Sequence, residues 1–430
     1  MKAFIKILLS TIVLTACGPS EQQPVLDMDE VAREYLFIEL SMGLHDSHHV
    51  DAYYGPEEIQ QQAVAAALSV EAIEARAQTL SERLGQLQGK ELERANPTRV
   101  SGLIARLRSL LTRIAIHRQD YLPFDEESLR LFGVKAPDRE IEEFDAVLAE
   151  IDALLPGEGT LQERVNRFRG KFDAPIDKVP ALLEAAIAEC RRRTAVHIDL
   201  PQNEDFRLEY VANKPWGAYN WYQGDAQSLI ELNMDAGGGV SGFIGTGCHE
   251  GYPGHHVYNV LLEQNLVKNR GWLEFTLYPL FSPESLIAEG SANYGTRLAF
   301  PGDELAVFTH DVLFPLAGLN PEEVERYQAL RELTRKLAFV GNEIARDYLD
   351  GRIDRDTAIE LTMQYALTTR ERAERSVWFT ETYRSYVINY NLGEQIVAEY
   401  IERDTATAAE RWQKFAELLA SPPHPEQMLH

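Results

Sequence analysis

Apolar residues recur at steps of three and four through most of this sequence, and this spacing is the feature that most constrains its fold. A residue and its neighbours three and four positions on share one face of an α-helix. The pattern fills residues 27 to about 200 and returns from about 283 to the end of the 430-residue chain. It is clearest in "DEVAREYLFIELSMGL", "VSGLIARLRSLLTRIAI" and "KVPALLEAAIAECRRRTAV". The sequence therefore predicts a mainly α fold.

The helical spacing of apolar residues is lost between about residues 206 and 234. "FRLEYVA", "GAYNWYQ" and "SLIELNMD" are short, rich in aromatic or β-branched residues, and separated by turn residues. Such segments predict a small antiparallel β-sheet, beside the helix that follows it. Because no compositional break separates a second domain, we expect one mainly helical catalytic domain over residues 26–430.

The first residues predict a leader rather than a part of the fold. "MKAFIKILLSTIVLTAC" has a basic start and an apolar run too short to span a membrane stably. It ends in Leu14-Thr15-Ala16-Cys17, which resembles a bacterial lipobox. The resemblance implies a signal peptide over 1–16, a lipid on Cys17 and a tether over 17–25. Gly18, in place of Asp, implies an outer-membrane lipoprotein that faces the periplasm.

The net charge limits the kinds of partner expected for this chain, and the cysteine content raises the question of a disulfide. The formal net charge of −25 argues against nucleic acid and against anionic lipid, so we expect the membrane contact to be through the lipid on Cys17 only. Besides Cys17 the chain has Cys190 and Cys248, which could pair in the periplasm. The sequence leaves that pairing open.

The segment with the most chemistry is "GTGCHEGYPGHHVY", residues 245–258. In H-E-x-x-H zinc sites the two histidines lie one helical turn apart. Here His255 and His256 follow His249 by six and seven residues, which on a straight helix are about 120° off its face or about 10.5 Å along the axis. Neither position suits a shared metal ion.

Pro253 and Gly254 change this expectation. Proline clashes with the carbonyl four residues earlier, and glycine permits backbone angles that other residues avoid. We therefore predict that the helix breaks after Glu250 and that the break brings His255 to the metal. His256 is the alternative ligand.

A third ligand is expected from "SPESLIAEGSANYGTRLA", residues 282–299, which contains Glu284 and Glu289. Two histidines and one carboxylate leave the fourth position that a catalytic zinc site needs. Glu250, next to His249, is expected to act as the general base. The predicted cofactor is one Zn²⁺ per chain.

"HEGYPGHH" followed by Glu-Gly-Ser-Ala resembles the bacterial family catalogued as domain of unknown function 885, whose hallmark is His-Glu-x-x-Pro-Gly-His. That family is similar to helical gluzincins such as thimet oligopeptidase and carboxypeptidase Taq. The resemblance covers about 206–401 and includes the tail "YRSYVINYNLGEQIVAEYI". It implies a gluzincin-like helical domain with His249, His255 and Glu289 as ligands and Glu250 as base.

Further candidates come from the same tail and from a second histidine cluster. Tyr386 or His256 could donate to a developing oxyanion, and Arg384 could hold a substrate carboxylate. In "LHDSHHVDAYYGPEE", residues 44–58, the residues His45, His48, His49 and Asp51 either form a second metal site or end the first helix and line the cleft.

The function expected is a zinc-dependent metallopeptidase that cleaves peptide or amide bonds in short substrates at the cell envelope. An edge strand of the small sheet could pair with an extended peptide, or the sheet could serve packing alone. The alternatives are an esterase or non-peptide amidase, and a binding lipoprotein whose metal site is structural or lost.

Overall fold

The computed structural model describes residues 26–214 and 216–429 and is mainly helical. The predicted fold class is therefore confirmed. The predicted signal peptide (1–16) and the whole predicted tether (17–25), including Cys17, lie outside the described residues. None of the described helices is both long and apolar enough to cross a membrane.

The N-terminal half is built from helices in the segments where apolar residues recur at helical spacing. Its helices are α1 (Met28–Gly43), α2 (Glu57–Ala66), α3 (Val70–Gly85), α4 (Gly89–Ala95), α5 (Pro97–His117), α6 (Phe124–Phe132), α7 (Asp145–Leu154), α8 (Leu161–Arg169) and α9 (Val179–Thr194).

The C-terminal half carries the His-Glu segment and its surroundings. Its helices are α10 (Gly242–Thr246), α11 (His255–Leu262), α12 (Pro283–Ala299), α13 (Glu304–Phe308), α14 (Phe314–Ala317), α15 (Val324–Lys336), α16 (Val340–Leu349), α17 (Arg355–Tyr365), α18 (Arg370–Tyr383), α19 (Ile388–Glu402), α20 (Ala408–Ala420) and α21 (Pro425–Met428).

The described strands form two small sheets. In chain order they are β1 (Val50–Tyr53), β2 (Asp205–Val211), β3 (Ala218–Gly224), β4 (Gln227–Asn233) and β5 (Leu277–Pro279). An antiparallel pair joins β1 to β5, and the other sheet has the order β2-β4-β3.

The three-stranded sheet forms where the sequence predicts one, but it is mixed rather than purely antiparallel. β3 and β4 are antiparallel neighbours, whereas β2 runs parallel to β4. The reason is the strand order: consecutive strands alternate in direction, and β2 lies beside β4 instead of beside β3.

The described core consists of two large apolar clusters and a small third one formed by Tyr222, Ala226 and Val260. One is formed by side chains of α1 to α5 together with Leu277 of β5, and the larger one fills the space between the later helices. Three buried arginines of α5, spaced seven residues apart, link the first cluster to its neighbours through buried carboxylates. The pairs are Arg99 with Glu274, Arg106 with Glu284 and Arg113 with Asp46.

Helices α12 and α19 cross closely at two glycines. A Cβ atom on Gly290 would collide with the backbone of Gly393, and one on Gly393 would collide with the backbone of α12. Gly290, in Glu-Gly-Ser-Ala, therefore allows α12 to approach α19 closely at the position next to Glu289.

Candidate metal centre

His249 lies in a turn of π-helix, Gly247–Gly251, which continues α10. A π turn contains one residue more than an α turn, and such turns are frequent at functional sites. The turn is anchored on one side by a disulfide between Cys248 and Cys190 of α9, both of them buried. The pairing that the sequence left open is thus present, immediately before His249.

The helix ends after this turn. The Tyr252–Pro253 peptide bond is cis, and the N–H of Gly254 donates to the carbonyl of Cys248 at 2.9 Å. A Cβ atom at position 254 would collide with the carbonyl oxygens of Cys248 and His249, so only glycine fits there. The predicted break between Glu250 and His255 is confirmed, one residue later than expected.

The next helix, α11, begins at His255. The break turns the chain, so the His255 ring lies beside that of His249, with 4.6 Å between the ring centroids. A straight helix could not produce this contact between residues six positions apart.

Glu289 of α12 completes a three-residue group. Its Oε2 atom lies 3.2 Å from Nε2 of His249 and 3.9 Å from Nε2 of His255, and the three donor atoms all lie within 4.8 Å of one another. Two ligands of a tetrahedral zinc ion are about 3.4 Å apart when each bond is about 2.1 Å. The donor types therefore fit a small divalent ion, and the spacings fit once the three donor atoms move slightly closer together.

The far side of His249 is oriented by an amide. Its Nδ1 atom lies 3.0 Å from Oδ1 of Asn293, whose own Nδ2 donates to the carbonyl of Tyr390 at 2.8 Å. Because Oδ1 can only accept, Nδ1 of the neutral ring carries the proton, and the lone pair of Nε2 faces Glu289. Metal-binding histidines usually have such a second partner.

The two oxygens of Glu289 have different surroundings. The hydroxyl of Tyr386 donates to Oε1 at 2.8 Å, whereas Oε2 is buried and accepts no hydrogen bond of ordinary geometry. The nearest charged partner of Oε2 is the His249 ring at 3.2 Å, and a bound cation would neutralise this buried oxygen in its place.

The charges at the centre are strongly coupled. Burial by itself would lower the pKa of His249, but contact with Glu289 and the charge of Glu250 raise it to about 9. Burial and the positive charge of His249 lower the pKa of His255 to about 4. Without a metal ion, the proton on His249 thus supplies positive charge beside the carboxylates of Glu289 and Glu250.

Glu250 is buried beside the group without belonging to it. Burial raises the pKa of its carboxyl to about 7, with a further increase from Glu289 and an opposing effect of His249. Its backbone carbonyl accepts a hydrogen bond from Asn220 of β3 at 2.7 Å. A carboxylate with this pKa can take up and release a proton near neutral pH.

Two cavities border on His249 and Glu250. The first, which we call the tyrosine cavity, has a volume of about 550 Å³. Its walls include His255, Glu289, Asp51, β3 and the tyrosines Tyr258, Tyr278, Tyr383, Tyr386 and Tyr390. The second, the arginine cavity, has about 1340 Å³ and its walls include Arg192, Arg193, Arg297, Arg331, Arg335 and Arg411.

His256 does not belong to the centre, and its prediction as alternative ligand or oxyanion donor is wrong. The ring is fully buried on the opposite side of α11, where Nδ1 lies 2.8 Å from the Ser228 hydroxyl and Nε2 lies 3.1 Å from Glu204. Consecutive residues of a helix point about 100° apart, so only one of the two histidines can face Glu289.

The structure also does not place Arg384 where it could hold a substrate carboxylate, as predicted. Its Nε atom donates to Glu127 of α6 at 2.7 Å, and its guanidinium lies over the ring of Tyr121. The side chain is buried away from both cavities and has a structural role. Tyr386 does lie at the centre, but its hydroxyl is bound to Glu289, so it positions that carboxylate.

The remaining candidates separate clearly. Glu284 pairs with Arg106 and is not near the histidines. In the second histidine cluster, His49 contacts the buried Glu39 at 2.5 Å, while His48 and Asp51 line the tyrosine cavity. Among the described residues, no second set of three possible metal ligands lies as close together as His249, His255 and Glu289.

Two functional neighbours were missed by sequence reasoning. Asn293 and Asn220 orient His249 and the Glu250 backbone, yet both are ordinary polar residues in a helix and a strand. Asn293 lies four residues after Glu289 and so shares its helix face, which is the one signal that could have identified it.

No known protein-family model matches the chain, and no curated protein matches it in sequence. Its structure is similar to the crystal structure of a "putative lipoprotein" from Colwellia psychrerythraea. The TM-score is 0.51 at 16% sequence identity, and the match covers 95% of this chain and 76% of the other. This chain and the Colwellia protein therefore share a fold.

Proposed function

We propose that this protein is a zinc-dependent hydrolase that cleaves peptide or amide bonds in short substrates. The observation that carries the proposal is the convergence of His249, His255 and Glu289 beside Glu250, at a cavity open to small molecules. Two histidines and a carboxylate leave one coordination position free, which is typical of catalytic rather than structural zinc sites.

When bound, zinc polarises the carbonyl of the scissile bond and lowers the pKa of a water molecule. Glu250 accepts the proton of the attacking water and donates it to the leaving nitrogen. Its pKa of about 7, raised mainly by burial, suits both steps. Asn293 and Tyr386 hold His249 and Glu289 in place and need not touch the substrate.

Tyr390 is the best candidate for stabilising the oxyanion. It lines the tyrosine cavity, and its backbone is held by Asn293. Loss of hydration in the cavity and the carboxylates of Glu289 and Glu250 keep its pKa well above the usual value, so that the hydroxyl stays protonated and can donate. A positioned donor at a developing oxyanion is a common source of rate acceleration.

The strand β3 supports a peptide as substrate. It is an edge strand of the three-stranded sheet, and its residues 218–222 line the tyrosine cavity. An extended peptide could pair with such an edge and present one bond to Glu250. Esterase or non-peptide amidase activity is the alternative within the same chemistry.

We also propose that the protein is a lipoprotein of the cell envelope, anchored to the outer membrane through Cys17 and facing the periplasm. The lipobox-like sequence supports this, and the name "putative lipoprotein" of the structurally similar Colwellia protein is consistent with it. The disulfide supports it further, since structural disulfides persist in oxidising compartments.

The test is metal analysis combined with a peptide-library digest of the full chain, purified in mild detergent. We expect about one zinc per chain, a loss of zinc in His249→Ala, and hydrolysis that requires zinc. Glu250→Gln should retain zinc and lose activity by about 10²–10⁴-fold. A protein without zinc that hydrolyses no peptide would favour the binding lipoprotein instead, and hydrolysis unchanged by Glu250→Gln would show that Glu250 is not the base.

A further inference from the structure

Asp51 is the acidic member of the second histidine cluster, and it lines the tyrosine cavity. It lies on β1, where the pairing with β5 shifts register between Val50 and Ala52. Asp51 is thus the unpaired residue of a β-bulge, a feature that redirects a side chain and is common beside active sites.

No cation balances Asp51 within the described chain. Its carboxylate makes no hydrogen bond and no ion pair there, and the charges that act on it are the carboxylates of Glu289 and Glu250. None of the described residues that line the tyrosine cavity is a lysine or an arginine. The arginine cavity, on the other side of His249, differs in having several.

A charge count indicates what the cavity lacks. The ion proposed above would be held by His249, His255 and Glu289, and Asp51 is not among these ligands, so its carboxylate has no cation of its own. Loss of hydration in the cavity and the carboxylates of Glu289 and Glu250 raise the pKa of Asp51 to about 8, and an ammonium group beside it would stabilise its ionised form. The tyrosine, tryptophan and phenylalanine rings on the same walls also favour a cation.

We propose that the tyrosine cavity binds an amine of the substrate, with Asp51 as the partner of the ammonium group. This deepens the proposed function, on which it rests, by assigning the substrate class: short peptides with a positively charged amine near the scissile bond. The amine can be the free N-terminus or a lysine side chain, which have the same chemistry.

Binding can be measured without turnover. We would use the full chain with Glu250→Gln, purified with zinc, and titrate two peptide pairs by calorimetry. Trialanine is compared with its N-acetylated form, and N-acetyl-Ala-Lys-Ala with N-acetyl-Ala-norleucine-Ala. We expect at least about 10-fold tighter binding of the amine in one pair, and that pair identifies its source.

The added substitution Asp51→Asn should reduce this preference to less than about twofold. Asp303→Asn is the matched control, because it removes an exposed carboxylate from the wall of the arginine cavity and should leave the preference unchanged. Melting curves and zinc content of both variants confirm that they fold.

Equal binding of the amine and its neutral counterpart in both pairs, or no binding of any peptide, would overturn the inference. So would a preference that survives Asp51→Asn. The peptide comparison in the protein with Asp51 intact is decisive even if Asp51→Asn does not fold. If the amine preference is found but no peptide is ever hydrolysed, the amine site stands and the proposed peptidase activity is wrong.

Discussion

His255 and His256 are adjacent in sequence and have opposite roles in the structure. His255 faces His249 and Glu289, while His256 is bound to Ser228 and Glu204 behind α11. The sequence predicts a break at Pro253 and Gly254, but it cannot tell which histidine the break delivers. That choice depends on where α11 begins, and hence on the path of the Tyr252–Gly254 backbone.

Substituting the two histidines separately tests this assignment. We predict that His255→Ala loses zinc with little change in the fold of the metal-free protein. His256→Ala should retain zinc and lose about 1–3 kcal/mol of unfolding free energy, because buried partners are left without hydrogen bonds. Zinc content and urea denaturation measure the two effects. The reverse pattern would mean that His256 is the ligand.

At the scale of elements, the helical spacing of apolar residues predicted the mainly α fold class. The loss of that spacing between about 206 and 234 located the three-stranded sheet. Two features of the fold could not be predicted from the spacing of apolar residues. The β2-β4-β3 order depends on tertiary packing rather than on local pattern. The arginines of α5 read as polar positions in an amphipathic helix, yet they are buried against carboxylates that are distant in sequence.

The α12–α19 crossing gives an element-scale prediction. Gly290→Ala should destabilise the protein by about 1–3 kcal/mol, since the added methyl group collides with the backbone of Gly393 and forces the helices apart. Gly341→Ala in α16 is the control, because a Cβ atom there contacts nothing within 4 Å. It should be neutral or stabilise by up to about 1 kcal/mol.

Denaturation curves of the two variants provide the comparison. Because Glu289 precedes Gly290, Gly290→Ala should also weaken zinc binding, whereas Gly341→Ala should not. Equal stability of the two variants would indicate that α12 and α19 are not in close contact.

At the scale of the whole molecule, the Cys190–Cys248 disulfide joins α9 to the turn that carries His249. The sequence supplied the two cysteines, but their pairing required knowing that α9 packs against residues 247–251. The same holds for the tyrosine cavity, whose walls include residues of β1, β3, β5, α11, α12 and α18, of the turn 247–251, and of the segment that follows α18. Sites assembled from distant segments cannot be read from local spacing.

Removing the disulfide should reduce stability throughout the chain. We predict that Cys190→Ser combined with Cys248→Ser lowers the free energy of unfolding by about 2–4 kcal/mol, because the cross-link restricts the unfolded chain over a separation of 58 residues. Urea titrations with and without reductant measure it. Reductant should destabilise the unsubstituted protein and leave the double variant unaffected; identical midpoints for both proteins would exclude the bond.

The central claim is that His249, His255 and Glu289 bind one catalytic zinc ion, and an anomalous diffraction map at the zinc edge tests it most directly. For crystals grown with zinc, we predict one strong peak about 2.1 Å from Nε2 of both histidines and from a Glu289 oxygen. Absence of a peak between these three residues, or a peak at His256 instead, would contradict the account.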